Sequence, residues 1–133
     1  MKPPTLQIKN ILEFYDSSEK NIMIVADQAV FTNTRKLANE FGVDFDPQGS
    51  IVTDGVDNNT VATEVLDESE LIISKTKGIV YSGVGLRLDP KNYFAFPLLK
   101  ASENAFSVDE KGKVISEGAS ITLVAGYQVL LYM

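Results

Sequence analysis

The sequence predicts an α/β fold in a single domain. The first forty residues read helix, apolar run, helix, which is the grammar of an α/β unit. The second half is a series of short β-type runs separated by turn residues. No linker, repeat or low-complexity stretch divides the 133 residues, and 44% of them are hydrophobic, enough for one real core. One domain over residues 1–133 is therefore expected.

Each element follows from local pattern. From Thr5 to Asp16, Leu6, Ile8, Ile11, Leu12, Phe14 and Tyr15 fall roughly on one helical stripe behind two prolines, which predicts a first helix. "IMIVAD", Ile22 to Asp27, is a short continuous apolar run ending in a carboxylate, the pattern of a strand in a buried parallel sheet. A second helix is predicted from Thr34 to Phe41, with Leu37, Ala38 and Phe41 at helical spacing, Thr32 or Asn33 as cap and Gly42 as stop.

Turn chemistry at Asp46-Pro47 and Gly49 brackets a brief apolar run at Ile51-Val52, and a further loop is expected from Asp54 to Asn59. "GIVYSGVGLRL" alternates loosely, "NYFAFPLL" is aromatic and interrupted by Pro97, and Ile121 to Ala125 forms another buried-type run. A strand-rich second half results.

Composition removes several kinds of chemistry. There are 12 basic and 18 acidic residues, a net charge of −6 without blocks, so no basic surface offers itself to nucleic acid. Histidine and cysteine are both absent. Ser-His-Asp and Cys-His arrangements cannot then be built, and carboxylate-only magnesium or calcium sites are the most that metal chemistry could use. No run reaches the roughly 18 apolar residues of a membrane span. The sequence ends on the apolar stretch Val129 to Met133, whereas chain termini are commonly polar and frayed, and an internal piece of a larger subunit is expected.

Few residues invite a functional reading. Gly83-Val84-Gly85 resembles the start of a dinucleotide fingerprint, but the third glycine position holds Leu88 and a turn, Asp89-Pro90-Lys91-Asn92, follows where a helix should begin. A structural bend is the preferred reading of Gly83 and Gly85, with Asp89 and Pro90 leading the turn. Asp44 and Asp46 alternate in "VDFDP" and would face one way, with Asp54 or Asp57 as further carboxylates, yet no calcium-loop spacing accompanies them. Solvated carboxylates flanking a turn are preferred there. Asp27 ends its run where α/β sheets place site residues, and structural capping of the following "QAVFTN" is preferred. The cluster Asp67 to Glu70 reads as a solvated face or helix start. Asn58-Asn59-Thr60 is a glycosylation sequon on a predicted loop.

Five stretches in order, "IKNILEFYDSSEKNIMIVAD", "LANEFGVDFD", "IVTD", "GVGLRLDPKN" and "SITLVAGYQ", together resemble the lumenal region of the DDOST-type subunit of eukaryotic oligosaccharyltransferase. The resemblance runs from about Gln7 to Gln128. It departs at "DSSEKN", where the family is glycine-rich. It implies a Rossmann-like, glutamine-amidotransferase-like partial domain with no catalytic, cofactor-binding or metal-binding residues of its own. It further implies a place in the endoplasmic reticulum lumen, and other oligosaccharyltransferase subunits as partners in N-linked glycosylation.

Two alternatives stay open: a domain of the same fold in an intraflagellar-transport or ABC-exporter accessory protein, and a small-molecule-binding α/β domain using Asp27 and the Gly83–Gly85 loop. Self-association through an uncovered strand edge or the apolar terminal segment is also expected.

Overall fold

A computed structural model of the chain describes residues 7–17, 20–55, 60–64 and 79–128. The first helix, α1, spans Ile8–Ser17. Its first turn is closed by the Gln7 carbonyl, which accepts from the Asn10 and Ile11 N–H groups. None of its residues is buried; it meets the rest of the molecule edge-on, Tyr15 against Phe41 with ring centroids 5.3 Å apart. The second helix, α2, spans Thr32–Glu40 and buries Leu37 and Ala38. It begins earlier than the capping pattern predicts. Thr32 and Asn33 lie inside the helix, and extended Phe31 occupies the N-cap position with no side-chain hydrogen bond, because the packing of Leu37 and Ala38, rather than a polar cap, fixes where this helix starts. It stops where expected, at Gly42 with φ +75°.

Between the helices, Ile22 to Asp27 corrects the expectation of a buried parallel strand. The run lies in no ladder among the described residues. Its side chains nonetheless alternate as a strand's do. Ile24 and Ala26 pack inward on the cluster of Val30, Ala38, Phe45, Val84 and Leu86. Met23 and Val25 point outward, 88% and 81% exposed. Apolar pattern reports which residues seek burial, whereas a strand exists only when a neighbour supplies its hydrogen bonds, and that neighbour is not encoded in the run.

Among the described residues nine strands follow: β1 (Val43–Phe45), β2 (Ile51–Thr53), β3 (Thr60–Glu64), β4 (Val80–Tyr81), β5 (Leu86–Leu88), β6 (Ala95–Ala101), β7 (Phe106–Val108), β8 (Val114–Glu117) and β9 (Thr122–Tyr127). Six form one sheet in the order β1-β5-β9-β6-β3-β4, and three form a second in the order β2-β7-β8. Every pairing among the described residues is antiparallel. The described fold is thus a mixed α/β arrangement with antiparallel sheets and a strand-rich second half.

The core formed by the described residues has two parts. One, under α2, is the cluster that receives Ile24 and Ala26. The other gathers Val52, Leu99, Ala101 and Leu123 from both sheets with Ala105 and Ile121 from the segments leading into β7 and β9. Pro97 survives inside β6 because it sits at a register shift against β9 and beyond the stretch of β6 that β3 covers, Leu99 to Ala101, so no ladder bond needs its missing N–H. Asn58 and Asn59 of the sequon, Asp57, the acidic cluster Asp67 to Glu70, and Val129 to Met133 lie outside the described residues. No helix among the described residues is long and apolar enough to cross a membrane.

Candidate functional site

The two motifs singled out in the sequence, "VDFDP" and "GVGLRLDP", meet. β1 pairs with β5 so that Asp44 stands opposite Arg87 and Phe45 opposite Leu86. One step further, the Asp46 N–H donates to the Gly85 carbonyl at 2.9 Å. This pairing carries the Asp46 side chain into the interior, where it is 1% exposed.

A buried carboxylate needs partners to be tolerated. Asp46 Oδ2 accepts a 2.6 Å hydrogen bond from Ser107 Oγ, itself fully buried on β7. Asp46 Oδ1 makes no hydrogen bond, but Arg87 Nε stands 3.4 Å away. The same guanidinium reaches Asp44 at 3.8 Å. A second arginine comes from α2: Arg35 pairs with Asp44 Oδ1 at 2.9 Å and donates to the Phe45 and Asp46 carbonyls. Arg35 thereby ties helix to strand at three acceptors, a use of the planar guanidinium that lysine cannot reproduce. Asp44 and Asp46 do face one way, as their alternation predicts, but what lies between them is Arg87. Asp46 is buried where a solvated carboxylate is expected, because the Asp46–Gly85 bond extends the β1–β5 pairing inward. Ser50 Oγ, close by in sequence and fully buried, has no hydrogen-bond partner among the described residues.

The glycines explain how tightly this centre closes. A Cβ on Gly85 would lie 2.5 Å from Asp46 Oδ2, 3.0 Å from Ile121 Cγ2 and 3.3 Å from Val52 Cγ2. Each of those residues is at most 1% exposed, so none can yield. Gly83 differs: its φ is +154°, and a Cβ there would meet the Tyr81 hydroxyl at 3.1 Å. That hydroxyl donates to the Val84 carbonyl at 2.8 Å, and burial raises the Tyr81 pKa above its ordinary value. The Gly83 carbonyl accepts from the Val52 N–H at 2.9 Å, joining the bend to the second sheet. Asp89 and Pro90 form a turn closed by the Asn92 N–H on the Asp89 carbonyl at 3.0 Å. Asp89 Oδ1 accepts from the Lys91 N–H at 2.9 Å, and the Asp89 N–H donates to the Gly42 carbonyl at 2.8 Å, locking the turn to the end of α2. Asp27 stands apart from this centre, its carboxylate accepting from the Ala29 N–H at 2.9 Å in an exposed turn.

Two concavities stand out among the described residues. A small cleft of about 300 Å3 is lined by Asn39, Gly42, Asp44, Arg87 and Asp89 among others. A larger open groove of about 690 Å3 lies between α1 and the 22–27 run, with Ile11, Phe14, Met23, Val25 and Leu37 in its walls. Among the described residues, no group of three or more carboxylates stands in metal-binding array. The Asp46 partnership was invisible in the sequence, since Ser107 is 61 positions away. Arg35, nine residues before Asp44 on a predicted helix, was a local signal that a cation was at hand.

These features define a class: a mixed α/β domain whose charged centre is engaged by its own arginines, serine and backbone. Comparison with known proteins gives the family. Residues 2–131 match the model of the OST48 N-terminal domain, and the chain belongs to that family. It is 32% identical over 142 aligned positions to the dolichyl-diphosphooligosaccharide–protein glycosyltransferase 48 kDa subunit of Arabidopsis thaliana, and 27% identical over 142 positions to the same-named subunit of Caenorhabditis elegans. Both alignments cover 93% of this chain and 32% of the relative, so the chain spans about a third of the length of the curated relatives it matches.

Proposed function

We propose that this chain is a non-catalytic domain of a 48 kDa-type oligosaccharyltransferase subunit, serving N-linked glycosylation in the endoplasmic reticulum lumen by holding other subunits in place. The observation that supports this reading is the convergence of the two sequence motifs, "VDFDP" and "GVGLRLDP", on a closed packing centre. Asp46, Gly85 and Ser107 occupy an interior where a substrate has no room, and the half-exposed Arg87 is engaged by two carboxylates. In this reading Gly83, Gly85, Asp89 and Pro90 are framework residues: Gly85 permits close approach, Gly83 permits the bend, and Asp89-Pro90 anchors the following turn to α2. The helix–run–helix portion corresponds to the Rossmann-like part of the domain, a reading supported by the order of α1, the Ile22 to Asp27 run and α2 along the chain. The matches to 48 kDa subunits favour this reading over the transport and exporter alternatives.

The test is a pair of measurements on the purified chain. Incubated with a dolichol-linked oligosaccharide and an Asn-x-Thr peptide it should form no glycopeptide, and co-expressed with the remaining subunits it should co-purify with them. Glycopeptide formed by the chain alone would overturn the non-catalytic part, and failure to co-purify would overturn the scaffolding part.

A further inference from the structure

Two oxygens of the charged centre are left over by the bonds described above. Asp46 Oδ1 and Ser50 Oγ each lack a hydrogen-bond partner among the described residues, and their residues are 1% and 0% exposed. Both belong to the loop 46–52 and both turn to its inner side. Ser50 and Val52 are buried while Ile51 between them is not, so Ser50 shares the inward face with Val52. Val52 Cγ2 and Asp46 Oδ2 in turn lie 3.3 Å and 2.5 Å from the one position that a Cβ on Gly85 would take. The carboxylate and the hydroxyl therefore border the same interior.

The loop cannot bring the two oxygens together by moving. Its backbone is tied at four points: the Asp46 N–H to the Gly85 carbonyl at 2.9 Å, the Gly49 N–H to the Gln28 carbonyl at 2.8 Å, the Ser50 N–H to the Pro47 carbonyl at 3.0 Å and the Val52 N–H to the Gly83 carbonyl at 2.9 Å. Ser107 holds Asp46 Oδ2 at 2.6 Å, which fixes the rotation of the carboxylate. A buried acceptor and a buried hydroxyl left unpaired are costly, and folded proteins meet such a demand with a fixed water bonded to both.

We infer that this centre is a binding site for one water molecule: the Ser50 hydroxyl donates to the water oxygen, and the water donates to Asp46 Oδ1. Arg87 Nε, 3.4 Å from Oδ1 without hydrogen-bonding to it, sets positive charge beside the same atom. The site takes nothing larger than water, because Val52 and Ile121 beside it are at most 1% exposed and close-packed. Through the water, the segment entering β2 joins the hydrogen-bonded chain that already runs from Gly85 through Asp46 to Ser107 on β7.

A crystal structure of the chain tests the inference directly. One ordered water should lie within about 2.6–3.2 Å of both Ser50 Oγ and Asp46 Oδ1. A direct Ser50–Asp46 hydrogen bond, or two oxygens without a shared water, overturns it. Magnetic relaxation dispersion of the solvent gives a second readout, since it counts waters held for longer than the protein takes to tumble. The Ser50→Val chain, whose methyl groups take the water's place and offer it no hydroxyl, should hold one fewer than the parent. An equal count in a Ser50→Val chain with the parent's circular dichroism overturns the inference. The crystallographic reading uses the parent chain alone, so it decides the matter even where the variant does not fold.

Discussion

Replacing Gly85 by alanine probes the closed centre most sharply. The added methyl would sit 2.5 Å from Asp46 Oδ2, a separation that van der Waals repulsion forbids, and it would also press on Ile121 at 3.0 Å. Overpacking a core of this kind costs about 1–3 kcal/mol. If the carboxylate moves instead, the 2.6 Å bond to Ser107 is lost and a fully buried hydroxyl is orphaned, a penalty of about 1–3 kcal/mol. The chain will take whichever route is cheaper or share them, so a total of roughly 2–4 kcal/mol is expected. For a domain of this size that corresponds to a fall in melting temperature of roughly 6–16 °C. Urea denaturation of the parent, Gly85→Ala, Asp46→Ala and the double variant gives the decisive quantity. Truncating Asp46 removes the atom with which the methyl collides, so the double variant should be more stable than the sum of the single losses predicts, by about 1 kcal/mol or more. Strict additivity, or a Gly85→Ala loss below about 0.5 kcal/mol, would refute the claim that close approach is what requires glycine there.

Three further outcomes follow from the same geometry. Arg35→Lys should cost about 1–2 kcal/mol in chemical denaturation, since an ammonium cannot serve Asp44 and two carbonyls together. Burial raises the Tyr81 pKa, so its neutral form is favoured in the folded chain. The resulting stability is complete below the unfolded value near 10 and is lost as pH rises from there through the folded value; the Tyr81→Phe chain should lose less stability than the parent as pH rises above about 10. Calorimetric titration with ATP, NAD or zinc should register no binding heat; micromolar affinity for any of them would contradict the framework reading of the Gly83–Gly85 bend.

The parts legible in the sequence were those set by neighbours in the chain. Leu37, Ala38 and Gly42 gave α2 its face and its end, and Ile121 to Ala125 marked what became the central strand β9. Boundaries moved where packing overrode capping, as at Thr32 and Asn33. Ile22 to Asp27 misled because its pattern is that of a sheet strand while the described fold supplies it no ladder. At the site, Gly83 and Gly85 were visible as a bend, but their two different reasons were not: one is a backbone angle, the other a contact with residues from three separate strands and turns. Asp46 was visible as half of a carboxylate pair, and its burial was not, since burial depended on the β1–β5 register and on a serine from a distant hairpin.

The central claim, that the domain contributes structure and not chemistry, is tested most directly by glycan occupancy measured against subunit abundance. Asp27→Asn, Asp44→Asn, Asp46→Ala and Gly85→Ala would each be placed in a subunit carrying this domain, in cells that depend on it. Occupancy of Asn-x-Ser/Thr acceptors should then fall only as far as the level of that subunit falls, on one common curve for all four variants. A variant present at the parent's level, assembled with the other subunits and yet depleted in occupancy would contradict the account, because it would reveal a side chain that acts on the reaction itself.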